Sequence, residues 1–436
     1  MILRAEPQYY ETYAAFHYEK ARTEFLTAEE YRVLEYLYNK TANVREICNE
    51  AGMKDVRCER FLKRMVQLGF VEMGAEGLKA QPPDRRKYDG TRYRGFPIPF
   101  LSAPTTVDVF ITSRCNLKCV HCFSGGEENG RHELSATALA SLFTELETMG
   151  VFEVRINGGE PFLHSEIGKI LMDLKKRRFR RVILTNGTLL DEKNVRYLQE
   201  SGTIPTVSLD DSVAEEHDRF RGVEGAFERT VEGLTRLNQA GIPYGINCCL
   251  HRRNLNRHRD IIDLAVRQGA AKIAFLDLKA VGRMKDHVEW VPPYEEYHKI
   301  LKPLMVAKAR YRKTIDVSLD VFLHCYPLSE AVREGKRRYI SCHAGRNRLA
   351  IDSTGAVYPC NLVLSDPRWR MGDLRKEALS EIWFSTKWLF FRGGVKIRNL
   401  HQCQSCKDVT KCEDVYCRLL PYVTCGDAFA PHPRCG

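Results

Sequence analysis

The sequence predicts an α/β protein: a partial (β/α)6 TIM barrel, preceded by a winged-helix-like domain and followed by a cysteine-rich domain. Three observations lead there. Between Thr105 and Arg310, six short apolar segments alternate with helical stretches, the pattern of βαβ crossovers and a parallel sheet. The chain before them runs instead from short aromatic strands into three helices. Eight of the sixteen cysteines crowd between Cys342 and Cys435. At 436 residues the chain is long for one domain. We place the divisions at 1–82, a linker over 83–104, the barrel over 105–310 and the cysteine-rich domain over 311–436.

Composition narrows the class. Hydrophobic content of 44% and charged content of 28% are ordinary for a soluble globular chain. No apolar run reaches membrane-spanning length, and "MILRAEPQYYETY" lacks a signal-peptide core, so a cytoplasmic location is expected. In a reducing compartment, cysteines serve as metal ligands or reactive groups more readily than as disulfides. The net charge of +11 suggests an acidic partner. Residues 1–90 hold fifteen basic and fifteen acidic residues, however, so the excess lies later and DNA is not the expected partner of the first domain.

The elements follow in order. "PQYYETYAAFHY" and "TEFL" read as strands, and Thr27 to Glu30 form a capping box that opens the helix "AEEYRVLEYLYN". Asn43 to Glu46 repeat the device before "REICNEAG", "VRCERFLKRMVQLG" is a third helix, and "FVEMGAEGLKA" reads as a two-stranded wing. A Pro- and Arg-rich linker, "QPPDRRKYDGTRYRGFPIP", follows. The six barrel strands are "TTVDVFITS", "VFEVRING", "RRVILTNG", "IPTVSLDDS", "PYGINCCL" and "AKIAFLDL". Helices such as "SATALASLFTELETMG", "AFERTVEGLTRLNQAG" and "LNRHRDIIDLAVRQGA" separate them. These are too few units for a complete eight-fold barrel, and the active site of such a sheet lies at the C-terminal strand ends. Cys48, Cys58, Cys248 and Cys249 fall inside apolar patterns and read as core residues.

Directly after the first strand, "TSRCNLKCVHCF" places Cys115, Cys119 and Cys122 in a C-x3-C-x2-C run. The i, i+4, i+7 spacing also suits one helix face, but the neighbours Arg114, Asn116, Lys118 and His121 are polar. Structural zinc takes four protein ligands, often in C-x2-C pairs. An iron–sulfur cluster held by three thiolates leaves one iron free to bind substrate. The run therefore resembles the radical S-adenosylmethionine (SAM) superfamily, in which the open iron chelates the methionine moiety and one-electron reduction yields a 5′-deoxyadenosyl radical. The resemblance extends to Gly158-Gly159-Glu160-Pro161 after the second strand, similar to the motif that holds the methionine amino group. Glycines there permit close backbone approach, and the Glu160 carboxylate would accept from an ammonium. It further implies that Asn186, Ser208 and Asp210, at later strand ends, line the ribose and carboxylate region, and that Arg219 in "HDRFRGVEGAFERT" meets the carboxylate.

The tail reads C-x17-C (Cys342, Cys360), then C-x2-C-x5-C-x4-C (Cys403, Cys406, Cys412, Cys417), with Cys435 last. It resembles the SPASM domain, which carries two auxiliary [4Fe–4S] clusters, although the family's last spacing is usually x3. Carried over by position, Cys403, Cys406, Cys412 and Cys435 hold one cluster. Cys342, Cys360 and Cys417 hold the other, with Cys325 or Cys425 as fourth ligand. A zinc ribbon is the alternative for C-x2-C pairs. With the SAM-binding cluster this makes three [4Fe–4S] clusters.

The first domain resembles the peptide-recognition domain of peptide-modifying enzymes, which adds a leader peptide to a sheet edge. The order of the three parts is similar to that of maturases of ribosomally made peptides (RiPPs), which abstract a hydrogen and form a thioether, C–C or C–O crosslink. The implied partners are a leader-bearing precursor peptide and a flavodoxin- or ferredoxin-type reductant, with no membrane. Alternatives are a maturase of a protein, of the sulfatase-activator type, or of a tetrapyrrole. A non-enzyme alternative is an iron–sulfur regulatory protein that binds DNA.

Overall fold

The structure is a computed structural model. It describes residues 2–320 and 344–431 apart from 7–11, 18–21, 27, 40, 69, 75–76, 81–100, 127–131, 365, 393–400, 402–404, 406–416 and 418. The Thr27 cap, the Pro- and Arg-rich linker and Cys325, Cys342, Cys403, Cys406, Cys412 and Cys435 lie outside the described residues.

In the N-terminal unit, β1 (Ile2–Glu6), β2 (Thr12–His17) and β3 (Arg22–Leu26) form an antiparallel meander. Helices α1 (Ala28–Asn39), α2 (Val44–Ala51) and α3 (Asp55–Leu68) and the hairpin β4 (Val71–Gly74) and β5 (Gly77–Ala80) complete it. The Asn43 side chain accepts from the Glu46 amide while the Glu46 side chain accepts from the Asn43 amide, so two otherwise orphaned donors at the start of α2 are satisfied. Val33, Leu37, Ile47, Phe61 and Met65 form a core of their own, which buries Cys48 and Cys58.

The second unit is built on one ten-stranded sheet. Its strands are β6 (Thr106–Phe110), β7 (Glu153–Asn157), β8 (Arg180–Thr185), β9 (Ile204–Ser208), β10 (Gly245–Leu250), β11 (Lys272–Asp277), β12 (Asp316–Asp320), β13 (Arg348–Ile351), β14 (Ala356–Tyr358) and β15 (Gly372–Asp373). The order is β12-β11-β10-β9-β8-β7-β6-β13-β14-β15, with β6 to β12 all parallel. Between them run α4 (Ala136–Met149), α5 (Ile167–Lys175), α6 (Glu192–Ser201), α7 (Ala214–Arg221), α8 (Ala226–Gln239), α9 (His258–Arg267) and α10 (Tyr294–Tyr311). Val107, Val109, Val154 and Ile156 face the helices and form the main core with Leu142, Phe143, Ile170 and Leu171. The alternate strand positions carry polar groups: Asp108 pairs with Arg348 at 2.8 Å, and Glu153 with Arg180 at 2.8 Å.

Two features depart from the sequence reading. A seventh parallel strand, β12, lies past residue 310, because α10 is one more crossover helix and "IDVSLD" returns to the sheet beside β11. The tail also shares the barrel's sheet and core: β13 pairs parallel with β6, and Leu349, Val357, Trp383 and Trp388 belong to the main core. Trp383 Nε1 donates to the Leu101 carbonyl at 2.9 Å, and the Arg392 guanidinium stacks on the rings of Trp383 and Trp388.

Candidate active site

The loop after β6 carries the three cysteines. Cys115 and Cys119 are buried and Cys122 half-buried, in one apolar group with Leu117 and Ala226. Two neighbouring segments hold the loop. From the end of α7, the carbonyls of Arg221 and Phe220 accept from the amides of Lys118 and Val120, both at 3.1 Å. From the end of β7, the amides of Gly159 and Glu160 donate to the carbonyls of Thr112 (2.9 Å) and Arg114 (2.7 Å). The approach is so close that a Cβ on Gly159 would lie 2.2 Å from the Arg114 oxygen and 2.8 Å from Cys115 Cβ. Only glycine fits there.

The Glu160 carboxylate, which the resemblance assigns to an ammonium, is turned into the protein. It is fully buried and accepts from Thr185 Oγ1 (2.7 Å) and from the amides of Asn186 (2.8 Å) and Phe162 (3.2 Å). Its oxygens thus tie the second strand end to the third. Burial raises its pKa to about 7 against the pull of those donors. Asn186 is buried, and its Nδ2 donates to Asn116 Oδ1 in the cysteine loop at 2.9 Å. Ser208 is half-buried at the end of β9.

Asp210 is fully buried, accepts from the Cys249 amide at 2.8 Å and pairs with Arg221 Nη2 at 2.5 Å. The same guanidinium donates through Nη1 to Cys119 Sγ at 3.7 Å. Burial alone would weaken the Arg221 charge, but Asp210 and the thiols of Cys119 and Cys249 hold its pKa above the ordinary arginine value. The arginine at the site is therefore Arg221 and not Arg219, whose side chain is 50% exposed and pairs with Glu216 at 3.0 Å. The signal lay in "HDRFR": His217, Phe220 and Arg221 are spaced i, i+3, i+4 and form the buried face of α7, while Arg219 points away. Cys248 is buried core, but Cys249 is half-buried on the opposite strand face, beside Phe220 and Trp290. It belongs to the site, because successive strand residues face opposite sides.

The sequence reading also missed a column of rings. His121 stacks on Phe220 at 4.2 Å, and Phe220 on His251 at 4.3 Å. Both ring nitrogens of His251 are buried without a hydrogen-bond partner among the described residues. Burial, then the charges of Arg257, Arg253 and Arg221, lowers its pKa to about 3, so the ring is neutral.

The donor set suits an iron–sulfur cluster. Burial pushes the Cys115 thiol up to about 12 and also raises Cys119. Burial acts the same way on Cys122, but hydrogen bonds from Ser124 and Gly126 and the charge of Arg283 outweigh it and lower its pKa. Among the described residues no three Cys, His, Asp or Glu side chains converge on one ion position. A four-iron cluster takes each thiolate on a different iron, and Cys115, Cys119 and Cys122 offer three thiols grouped on one loop. In the tail, Cys360 and Cys417 are half-buried against the main core, and Cys425 is exposed at the end of the helix Leu419–Cys425.

Comparison with known proteins agrees with this geometry. Residues 109–265 match the Radical SAM superfamily, and residues 342–407 match SPASM, an iron–sulfur cluster-binding domain. The chain thus carries a radical SAM domain and a SPASM domain and is an enzyme, and its cofactors are S-adenosylmethionine and more than one [4Fe–4S] cluster. It is 29% identical to the AdoMet-dependent heme synthase of Methanosarcina barkeri, over 78% of this chain and 98% of that protein. It is likewise 29% identical to the mycofactocin maturase of Mycolicibacterium smegmatis, over 77% of this chain and 83% of the relative. The fold is similar to Streptococcus suis SuiB bound to precursor peptide SuiA, with TM-score 0.71 at 16% identity, covering 98% of this chain and 96% of that one. Among the described residues no helix is long and apolar enough to cross a membrane.

Proposed function

We infer that the protein is a peptide maturase, which abstracts a hydrogen from a leader-bearing, ribosomally made peptide and forms a thioether, C–C or C–O crosslink in it. The observation that carries this reading is the N-terminal unit. Its three-stranded sheet, joined to a winged helical element, offers an edge that pairs with no further strand among the described residues and whose amides and carbonyls could register an extended peptide. The likeness to SuiB spans this unit together with the barrel and tail. The mycofactocin maturase and the PqqA peptide cyclase of Methylocella silvestris (26% identical) support the same substrate class.

A [4Fe–4S] cluster with S-adenosylmethionine supplies, on one-electron reduction, a 5′-deoxyadenosyl radical. In this reading Cys115, Cys119 and Cys122 would hold the cluster through three thiolates, with one iron left for the methionine moiety. Gly158 and Gly159 let the loop after β7 pack directly against the cysteine loop, and Asn186, Ser208 and Asp210 border the nucleoside side. Arg221 holds its charge against Asp210 and the Cys119 thiol. Phe220 and Trp290 exclude water from the inner wall. The tail cysteines hold two auxiliary clusters, and a flavodoxin- or ferredoxin-type protein delivers electrons.

A second reading, a tetrapyrrole-modifying enzyme, draws on the heme synthase relative and on the 28% identical Fe-coproporphyrin III synthase of Methanosarcina barkeri. Both matches leave part of this chain uncovered. Removing residues 1–80 separates the readings. For a peptide maturase, the truncated protein still cleaves S-adenosylmethionine but loses most of its binding to a fluorescent leader peptide. Equal affinity of both forms would contradict the peptide reading.

A further inference from the structure

The loop after β11 is no part of the motifs read from the sequence, yet it grips the cysteine loop. Val281 and Met284 are buried, Met284 among Phe220, Leu278 and Trp290, and so fix the strap at both ends. Between them Gly282 has φ +57°, and a Cβ there would lie 2.3 Å from the Cys122 oxygen and 2.6 Å from Phe123 Cα. The next residue makes three bonds to the loop. The Arg283 amide donates to the Cys122 carbonyl at 3.0 Å, its Nε to the Cys119 carbonyl at 3.0 Å, and its Nη1 to the Gly126 carbonyl at 3.4 Å. All three acceptors belong to the segment that carries two of the three thiols.

The charge is arranged differently from that of Arg221. Arg221 is neutralised by Asp210, whereas among the described residues Arg283 bonds only carbonyl oxygens and has no carboxylate partner. A planar fork suits several carbonyls at once in a way an ammonium does not. A cation beside thiolates stabilises added negative charge, and charge near a metal centre is one of the protein's levers on its potential.

We propose that Arg283 is a positioning residue that clamps the cysteine loop through its carbonyls and makes the iron–sulfur group held there easier to reduce. The proposal rests on Cys115, Cys119 and Cys122 being the ligands of that group. The test uses the full-length protein, anaerobically reconstituted, as wild type, Arg283→Lys, Arg283→Gln, Arg283→Met and the triple Cys115/Cys119/Cys122→Ala variant. The signal followed is the reduced-cluster paramagnetic resonance that changes on adding S-adenosylmethionine. Its absence from the triple variant establishes the ligand assignment independently of Arg283. Redox titration of that signal should show about a tenfold less favourable reduction in Arg283→Gln, about 59 mV for one electron, with Arg283→Lys recovering most of it. The auxiliary signals should stay unmoved. In iron-free protein, amide exchange over residues 118–126 should quicken at least tenfold in Arg283→Met, a readout that needs no cluster. An unchanged potential in fully loaded Arg283→Gln, or unchanged exchange in Arg283→Met, would overturn the proposal.

Discussion

Glu160 shows how a single carboxylate can tie two strand ends of the site together. Its oxygens bond the Thr185 hydroxyl and the Asn186 amide, so it braces the third strand end against the second. Burial raises its folded pKa to about 7 from an ordinary 4.5. The folded state then binds a proton more tightly than the unfolded chain, so this residue's contribution is fully present below about pH 4.5 and is lost as pH rises through 7. The loss amounts to roughly 3 kcal/mol, at 1.36 kcal/mol per pKa unit. Between pH 5 and 8, the denaturation midpoint of iron-free wild type should therefore lose ground with rising pH relative to that of Glu160→Gln; parallel profiles for the two proteins would refute the coupling. At this scale the sequence was legible where spacing carries chemistry. The C-x3-C-x2-C run stands out because three thiols need one loop. Arg221 was not legible, since two arginines two residues apart are separated only by helix phase. Nor was the inward turn of Glu160, because a Gly-Gly-Glu string does not say which way its carboxylate points.

Among the elements, backbone-to-backbone packing of strand-end loops builds the site. The β7 loop lies on the cysteine loop so closely that Gly159→Ala must displace the Arg114 carbonyl or Cys115. This variant should fold, with its barrel dichroism kept, yet lose S-adenosylmethionine binding by at least tenfold in equilibrium dialysis. Gly245→Ala, whose added Cβ would meet nothing nearer than 3.7 Å, should bind like wild type. Equal loss in both would mean that general strain, not the β7–cysteine loop contact, is responsible. Strands and helices were well signalled, because strict apolar patterns and caps such as Asn43 with Glu46 are local properties. The missed strand Asp316–Asp320 shows the limit: its charged ends read as loop, and only the preceding crossover helix brings it beside β11. The joining of β13 to β6 depends on contacts far apart in sequence, as in the bond from Arg348 to Asp108, 240 residues apart, and no local pattern encodes that.

At the scale of the whole molecule, cysteine distribution divides the labour. The assigned ligands all lie beyond residue 110, and the N-terminal unit keeps Cys48 and Cys58 in its own core. Three four-iron clusters predict about twelve irons per chain after anaerobic reconstitution, and about eight in the triple Cys115/Cys119/Cys122→Ala variant. Iron near four with stoichiometric zinc would make the tail a zinc ribbon instead. The central claim is radical chemistry on a peptide. Its most direct test is anaerobic incubation of the full-length enzyme with S-adenosylmethionine, reductant and a candidate short precursor peptide encoded beside its gene, followed by mass analysis of peptide and nucleoside. The account predicts 5′-deoxyadenosine together with a peptide lighter by two hydrogens and resistant to fragmentation across the linked residues. An unaltered peptide, with iron coproporphyrin consumed in a parallel incubation, would contradict it.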